Sequence, residues 1–430
     1  MSDLREIDSI SDLRSLTGGV NQTSVHVRTP SEEAGVFLPK NKDPFGLGDD
    51  GAIALQADQS TWWARESVLR GERINAGDFG LAGDGQTDDE PELQKAIDAA
   101  ENEGLTLILP PGDYYLRDRL VVDESLTIAG HGPDTALCTD KDERLLEIVD
   151  ASDVSIRGVR FVGNADPDND LQRAITVDDG ENIFVDCCIF ENLAVGVISN
   201  GVDTMMVTRS HFEHMVGSTG GEPGWGVIFS PSAQTGAFSK NDVWGCQFDD
   251  VNRHAIYFSA KVKNGSAYGN FILNADQTEI EINCDKKSHK NRAIKVSKNW
   301  IEYDNGIPTR EWGIEVHTTP EGQTNGKHTL SGNKIKGIGV KCSGDRNVVK
   351  DNRIKCSTGH GILVNDSPRE TKIVDNVVIK AGEVGIRTIN AGDCAFYQRW
   401  RLCFTRKHRS REFKKGDLRY EFRRGKRDNF

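Results

Sequence analysis

Short runs in which apolar and polar residues alternate recur along most of this chain. Gly196-Val-Ile, Gly226-Val-Ile-Phe229, Ala255-Ile-Tyr-Phe258, Glu279-Ile-Glu-Ile282, Gly313-Ile-Glu-Val316, Gly337-Ile-Gly-Val340, Gly361-Ile-Leu-Val364 and Gly385-Ile-Arg-Thr388 share a period of two. That period predicts short strands with one buried face. A second phrase follows most of them: Val296-Ser-Lys-Asn299-Trp-Ile301, Leu330-Ser-Gly-Asn333-Lys-Ile335, Val349-Lys-Asp-Asn352-Arg-Ile354 and Ile373-Val-Asp-Asn376-Val-Val378. Fainter copies centre on Cys188, Ser210, Cys246 and Asn270. Both phrases are too short and too β-branched for helices, and Gly, Asn or Asp flank nearly every copy.

A repeat of about 20–30 residues, lengthened where loops are inserted, is the mark of a stacked solenoid. The fold class expected is all-β, a right-handed parallel β-helix. Parallel stacking places like above like, so the Val and Ile positions form aliphatic columns and the Asn positions a ladder at one corner. Asn suits a corner because it tolerates left-handed backbone angles and its amide reaches the next coil.

Three segments are expected. Residues 1–72 read as a small β-rich module of hairpins with a Trp-centred core, in which Trp62 and Trp63 face opposite sides of one strand. Residues 73–395 are the β-helix, with rung periodicity ending near Asn390. Residues 396–430 hold thirteen Lys/Arg against four Asp/Glu and form a basic tail without an inferred function. Near the start of the helical region Thr87 is expected to cap an amphipathic helix, with Glu90 completing a capping box. That helix runs to about Asn102 and plugs the open end of the coil, where bare strand edges would invite aggregation.

The net charge of −13 argues against a dedicated nucleic-acid binder. No stretch is apolar for long enough to cross a membrane, and Met1-Ser-Asp-Leu-Arg-Glu has no signal-peptide character. The nine cysteines are scattered apart from Cys187-Cys188, which reads as core filler and not as a disulfide frame or zinc site.

Residues 74–133 carry Asp78-Phe-Gly-Leu-Ala-Gly-Asp-Gly-Gln-Thr-Asp-Asp89, then Pro110-Pro-Gly-Asp-Tyr-Tyr115. This resembles the opening of the pectate-lyase superfamily of right-handed β-helices, departing at Leu81 where Ala is usual. The module before it resembles the short adaptor that precedes β-helices in viral tailspikes. The first resemblance implies the fold but not a chemistry, because that superfamily includes lyases, hydrolases, epimerases and plain polysaccharide binders. The second implies a virion tail protein that binds, and in some cases depolymerises, a host surface polysaccharide, with residues 1–72 as the contact to other tail proteins. Tailspikes are commonly homotrimers, although no heptads are present here. The alternatives are an extracellular pectate-lyase-like enzyme, lyase or glycoside hydrolase, and a non-catalytic structural β-helix.

Stacking the strand phrases predicts a site. Glu279, Glu281 and Glu315 are expected on one outward face as the catalytic carboxylates. Neighbouring coils lie about 4.8 Å apart and alternate residues of one strand about 6.5–7 Å. Carboxylates at such separations are what glycoside hydrolysis uses. Trp225, His254, Tyr257, Asn283, Asp285, Trp312 and His317 are expected to bind the sugar, since aromatic faces pack against sugar C–H groups. No metal or other cofactor is indicated; Asp249, Asp250 and Arg253 match no calcium loop. Against all this stands the ordinary role of an outward Glu on an acidic protein, which is a solvated or Lys-paired charge.

Overall fold

The computed structural model describes residues 5–17, 24–28, 35–44, 48–49, 53–59, 61–71, 73–166, 171–217, 223–230, 240–284, 291–303, 312–318, 326–356, 359–365, 370–389 and 394–397. The chain divides into two compact units, Met1–Ile256 and Tyr257–Phe430.

The first unit opens with a five-stranded sheet in the spatial order Arg5–Ile7, Val25–Val27, Gly35–Lys40, Thr61–Arg65, Ala54–Asp58. Its core is Leu13, Val25, Val27, Phe37, Leu55 and Trp63. Both tryptophans of the Trp62-Trp63 pair are buried, so the side expected to face outward is covered as well.

Behind this sheet the strands stack in parallel as three sheets. One inward column runs Leu137, Phe161, Phe190, Phe212, Phe248. The four phenylalanine rings stack, with centroids 5.3, 4.4 and 4.6 Å apart. This column dictates the glycines of the facing strands. A Cβ on Gly196 would lie 2.6 Å from the Phe212 ring, and one on Gly226 2.7 Å from the Phe248 ring.

The capping helix is Glu90–Glu103, closed by Gly104 in the left-handed region. Its start differs from the expected capping box. Thr87 lies in the strand Asp84–Asp88, where it donates to the Asp84 carboxylate, and Asp89 is the N-cap residue. The Asp89 side chain turns back to accept from the amides of Ala82 (2.6 Å) and Gly83 (3.1 Å). The Asp-Gly-x-Thr-Asp-Asp run is therefore a fastener for its own loop, because loop amides with no strand partner need acceptors.

The plugging role is explicit in the hydrogen bonds. Gln94 donates to the Val121 carbonyl at 2.9 Å and accepts from its amide at 2.8 Å. Val121 sits in Leu120–Val122, the end strand of its sheet. One helix side chain thus satisfies both backbone groups of an edge residue that would otherwise present them to another chain. Glu101 accepts from Asp123 and Glu124 at 3.1 Å each.

The second unit repeats the three-sheet plan with a different core. Its inward column is Ile272, Ile301, Ile335, Ile354, Val378. Beside it runs the asparagine ladder: Asn270 donates to Asn299 at 2.9 Å, Asn299 to Asn333 at 3.0 Å, Asn333 to Asn352 at 2.8 Å and Asn352 to Asn376 at 2.9 Å. The second amide proton of Asn299, Asn333, Asn352 and Asn376 goes to a backbone carbonyl. All five are buried, and Asn299, Asn333 and Asn352 each exchange water for two acceptors on their amide and two donors on their oxygen. The left-handed residue is the one before each asparagine: Gly269, Lys298, Gly332, Asp351 and Asp375, with φ between 48 and 66°. The asparagines are there for their amides and not for their backbone freedom. Rung pairing also reaches past Asn390, because Cys394–Tyr397 pairs in parallel with Thr371–Val374.

Candidate active site

Within the second unit the strands Ile280–Cys284, Trp312–Thr318 and Gly339–Ser343 lie side by side in parallel. Glu281 is the in-register partner of Glu315, and Asn283 that of His317. Both carboxylates are nearly covered, Glu281 at 7% and Glu315 at 3% exposure.

Glu315 is the centre of the cluster. Its Oε1 accepts from Lys341 Nζ at 2.7 Å and pairs with His317 Nδ1 at 2.9 Å, while Thr278 Oγ1 donates to Oε2 at 3.4 Å. Burial alone would push this carboxyl up. The hydrogen bond from His317 and the Lys341 charge outweigh it and hold the group down at about 2. The same bond raises His317 above the usual imidazole range, with the Glu281 charge adding to it. The result is an ionised carboxylate gripped by two cations, one of which, His317, keeps its side chain 37% exposed. On the neighbouring strand Asn283 Nδ2 donates to Tyr257 Oη at 2.6 Å, which brings a phenol to the same group.

Lys341 enters through a change of register. The strand phrases alone align Glu315 with Gly339 and His317 with Lys341. The observed pairing lies two residues further on, because Gly337 closes the preceding strand Lys334–Gly337; Ile314 pairs with Val340 and Glu315 faces Lys341. A bulge between Trp312 and Ile314 adjoins this pairing, and bulges are common beside active sites.

Glu279 does not join the expected carboxylate face. It falls one residue before the Ile280–Ile314 pair, in line with the core-facing Gly313, and is fully buried. Among the described residues neither of its oxygens has a hydrogen-bond partner. Burial raises its carboxyl well above the ordinary value, so it is a neutral acid inside the coil. Alternation failed here because a bend precedes the strand. Trp312 is half-buried at the bulge, and Asp285 lies outside the described residues.

Trp225 and His254 belong to the first unit. Trp225 is half-buried with the Arg253 guanidinium 4.7 Å over its ring, and His254 is buried. The first unit also holds a cleft of about 450 Å³ lined by Glu191, Asn192, Glu213, His214, Asp249 and Asp250. Glu191, Glu213 and Asp249 are in register on successive coils, and His214 Nδ1 lies 2.7 Å from Asp250. Only Asp249 and Asp250 stood out in the sequence. Glu191 and Glu213 are single outward carboxylates on the strands Ile189–Glu191 and His211–Met215, which the sequence does not distinguish from solvated surface charges.

Residues 73–143 match the protein family described as "Rhamnogalacturonase A/epimerase, pectate lyase-like". The chain is 32% identical over 127 residues to mannuronan C5-epimerase AlgE1 of Azotobacter vinelandii, a match covering 28% of this chain and 8% of that protein. It is 32% identical over 104 residues to alginate lyase 7 of the same organism, covering 22% of this chain and 11% of that one. The chain thus spans about a tenth of the length of these relatives. Among solved structures it resembles the gp42 tailspike of Acinetobacter phage vb_AbaP_AS12, with a TM-score of 0.67 at 10% identity over 92% of this chain and 75% of the other. At that identity the likeness is one of fold. Stacked parallel sheets and structural likeness agree on the fold: this chain is a right-handed parallel β-helix, and its residues 73–143 are similar to a pectate-lyase-like family.

Proposed function

We propose that this chain binds an acidic polysaccharide and acts on it at the cluster of Tyr257, Glu281, Glu315, His317 and Lys341. The observation that carries the reading is the buried, ionised Glu315 bonded to both His317 and Lys341. A carboxylate in this position fixes the imidazole and stabilises its protonated form, leaving the outer ring nitrogen to exchange protons with a bound sugar. Perturbed, specifically partnered groups of this kind are typical of catalytic sites.

The same geometry favours proton transfer over two-carboxylate hydrolysis. Glu315 is committed to its two cations and holds no proton at neutral pH, so it does not serve as the general acid. A uronate sugar offers an acidic C–H beside its carboxylate. Lys341 supplies charge for that carboxylate, Tyr257 takes the proton as its phenolate, to which the Asn283 amide donates, and protonated His317 gives a proton to the leaving glycosidic oxygen. Cleavage then proceeds by elimination: the C–H proton leaves, a C=C bond forms and the C–O bond to the next sugar breaks. The matches to an epimerase and a lyase named for uronate polymers agree with this choice. A second reading is hydrolysis through Glu281, favoured by its place in register with Glu315. The tailspike likeness supports placement on a virion tail, acting on a host surface glycan.

The deciding experiment incubates the full chain with alginate and with polygalacturonate, following both new reducing ends and the ultraviolet absorbance of unsaturated sugar ends. Elimination yields both signals, and His317→Ala lowers them by about 10²–10⁴-fold. Reducing ends without absorbance mean hydrolysis. Turnover unaffected by His317→Ala refutes the site.

A further inference from the structure

A second feature of the 257–430 unit lies on a different sheet from the Glu315 cluster. The strands Phe271–Ala275, Trp300–Glu302, Lys334–Gly337 and Arg353–Cys356 pair in parallel, and their outward residues form one column: Phe271, Trp300, Lys334, Arg353. Phe271 and Trp300 are exposed, at 36% and 47%. Tyr268, just across the Gly269–Asn270 corner, is 41% exposed. Large aromatic side chains clustered in the open cost solvation, and such patches usually mark a surface that something covers.

Their arrangement is ordered. Phe271 meets Trp300 edge-on with centroids 5.9 Å apart, and Lys334 Nζ stands 4.7 Å from the Trp300 ring centroid. Lys298 Nζ lies 5.1 Å from the Tyr268 ring centroid and donates to its hydroxyl at 2.9 Å. Among the described residues neither Lys334 nor Arg353 has an acidic partner. The charge is also segregated: residues 257–389 carry 21 basic and 15 acidic side chains, whereas residues 1–256 carry 19 and 46.

We propose that the column Phe271, Trp300, Lys334, Arg353, with Tyr268 and Lys298 beside it, is a second, non-catalytic binding surface for a carboxylate-bearing polysaccharide. Two aromatic positions followed by two cationic ones, one coil of about 4.8 Å apart, match a ligand that alternates apolar C–H faces with carboxylates. A sugar packed on the aromatic pair places the acid groups of its neighbours one or two coils on, at Lys334 and Arg353. A neutral glycan would leave both cations unanswered. The proposal shares with the preceding section the acidic polysaccharide as ligand, but not the His317 chemistry. A strand held here would keep a long polymer attached between turnovers at the other sheet, which raises the effective concentration of its cleavable bonds.

The test uses the full chain on resin coupled to alginate, to polygalacturonate and to neutral dextran. Wild type is expected to be retained by the two acidic polymers and released by salt. Trp300→Ala/Lys334→Glu is expected to bind them about tenfold more weakly, with unchanged melting temperature and unchanged turnover of short oligosaccharides. Lys334→Arg should restore most of the retention when paired with Trp300. His317→Ala should be retained like wild type, which separates this surface from the catalytic assignment. Equal retention of wild type and double variant, or no retention of wild type on either acidic polymer, overturns the proposal. A change in oligomeric state of the double variant by light scattering also overturns it, because the column would then be an interface between copies.

Discussion

Lys341 is the in-register neighbour of Glu315 on the next strand, and its ammonium donates to that carboxylate at 2.7 Å. A carboxyl that normally titrates near 4.5 is held at about 2 by this contact together with His317. Its lowered value contributes stability that is fully present above the ordinary pKa and is lost as pH falls from about 4.5 towards 2. Lys341→Met should weaken the fold at pH 7 by roughly 2–4 kcal/mol, because it leaves a buried charge short of a partner. It should also move the acid transition to higher pH. Urea melts of both proteins between pH 2 and 7 measure the two effects.

The opposite sign is expected for Glu279. The folded chain holds a proton on this buried carboxyl that the unfolded chain releases above its ordinary range, so stability should fall as pH rises beyond about 4.5. Glu279→Met keeps the volume and removes the polar group. It is expected to stabilise the protein by about 1–3 kcal/mol at pH 8 and much less at pH 4. Equal effects at both pH values would mean that the carboxyl is ionised in the fold.

Asn333 accepts from both the backbone and the side-chain amide of Asn299, and donates to Asn352 and to the Val296 carbonyl. Asn333→Ala strands buried groups on two neighbouring coils and should cost about 2–4 kcal/mol. Asn333→Asp keeps the acceptor and, when protonated, one of the two donors, so calorimetry should place it between wild type and Asn333→Ala at pH 4 and closer to Asn333→Ala at pH 8.

In the first unit Gly196→Ala forces a methyl group to within 2.6 Å of Phe212, inside a stack of four rings. About 1–3 kcal/mol of destabilisation is expected. Combining it with Phe212→Leu should recover part of that loss, and a thermal-melt double-mutant cycle reads the coupling.

Much of this was legible in the residues. The period-two phrases and the recurring asparagines specify the parallel stack and its ladder, because stacking like upon like leaves few other arrangements. The opening motif announced the capping helix. What was hidden depends on shifts of one or two residues that a repeat pattern averages away. A strand that starts at Gly339, two residues past the start of its sequence phrase, brings Lys341 to Glu315, and the bend before Ile280 sends Glu279 into the core. The left-handed angle sits one place earlier than the asparagines it was attributed to. At Thr87, a side chain read as a helix cap serves a loop carboxylate instead.

The ladder also separates two jobs that most folds entangle. Its successive members lie 29, 34, 19 and 24 positions apart in the chain, yet each makes the same bonds to the next. Segment length between anchors is thereby uncoupled from alignment. Evolution can splice, trim or exchange whole surface excursions on such a frame and retune what the molecule grips, without renegotiating how it folds.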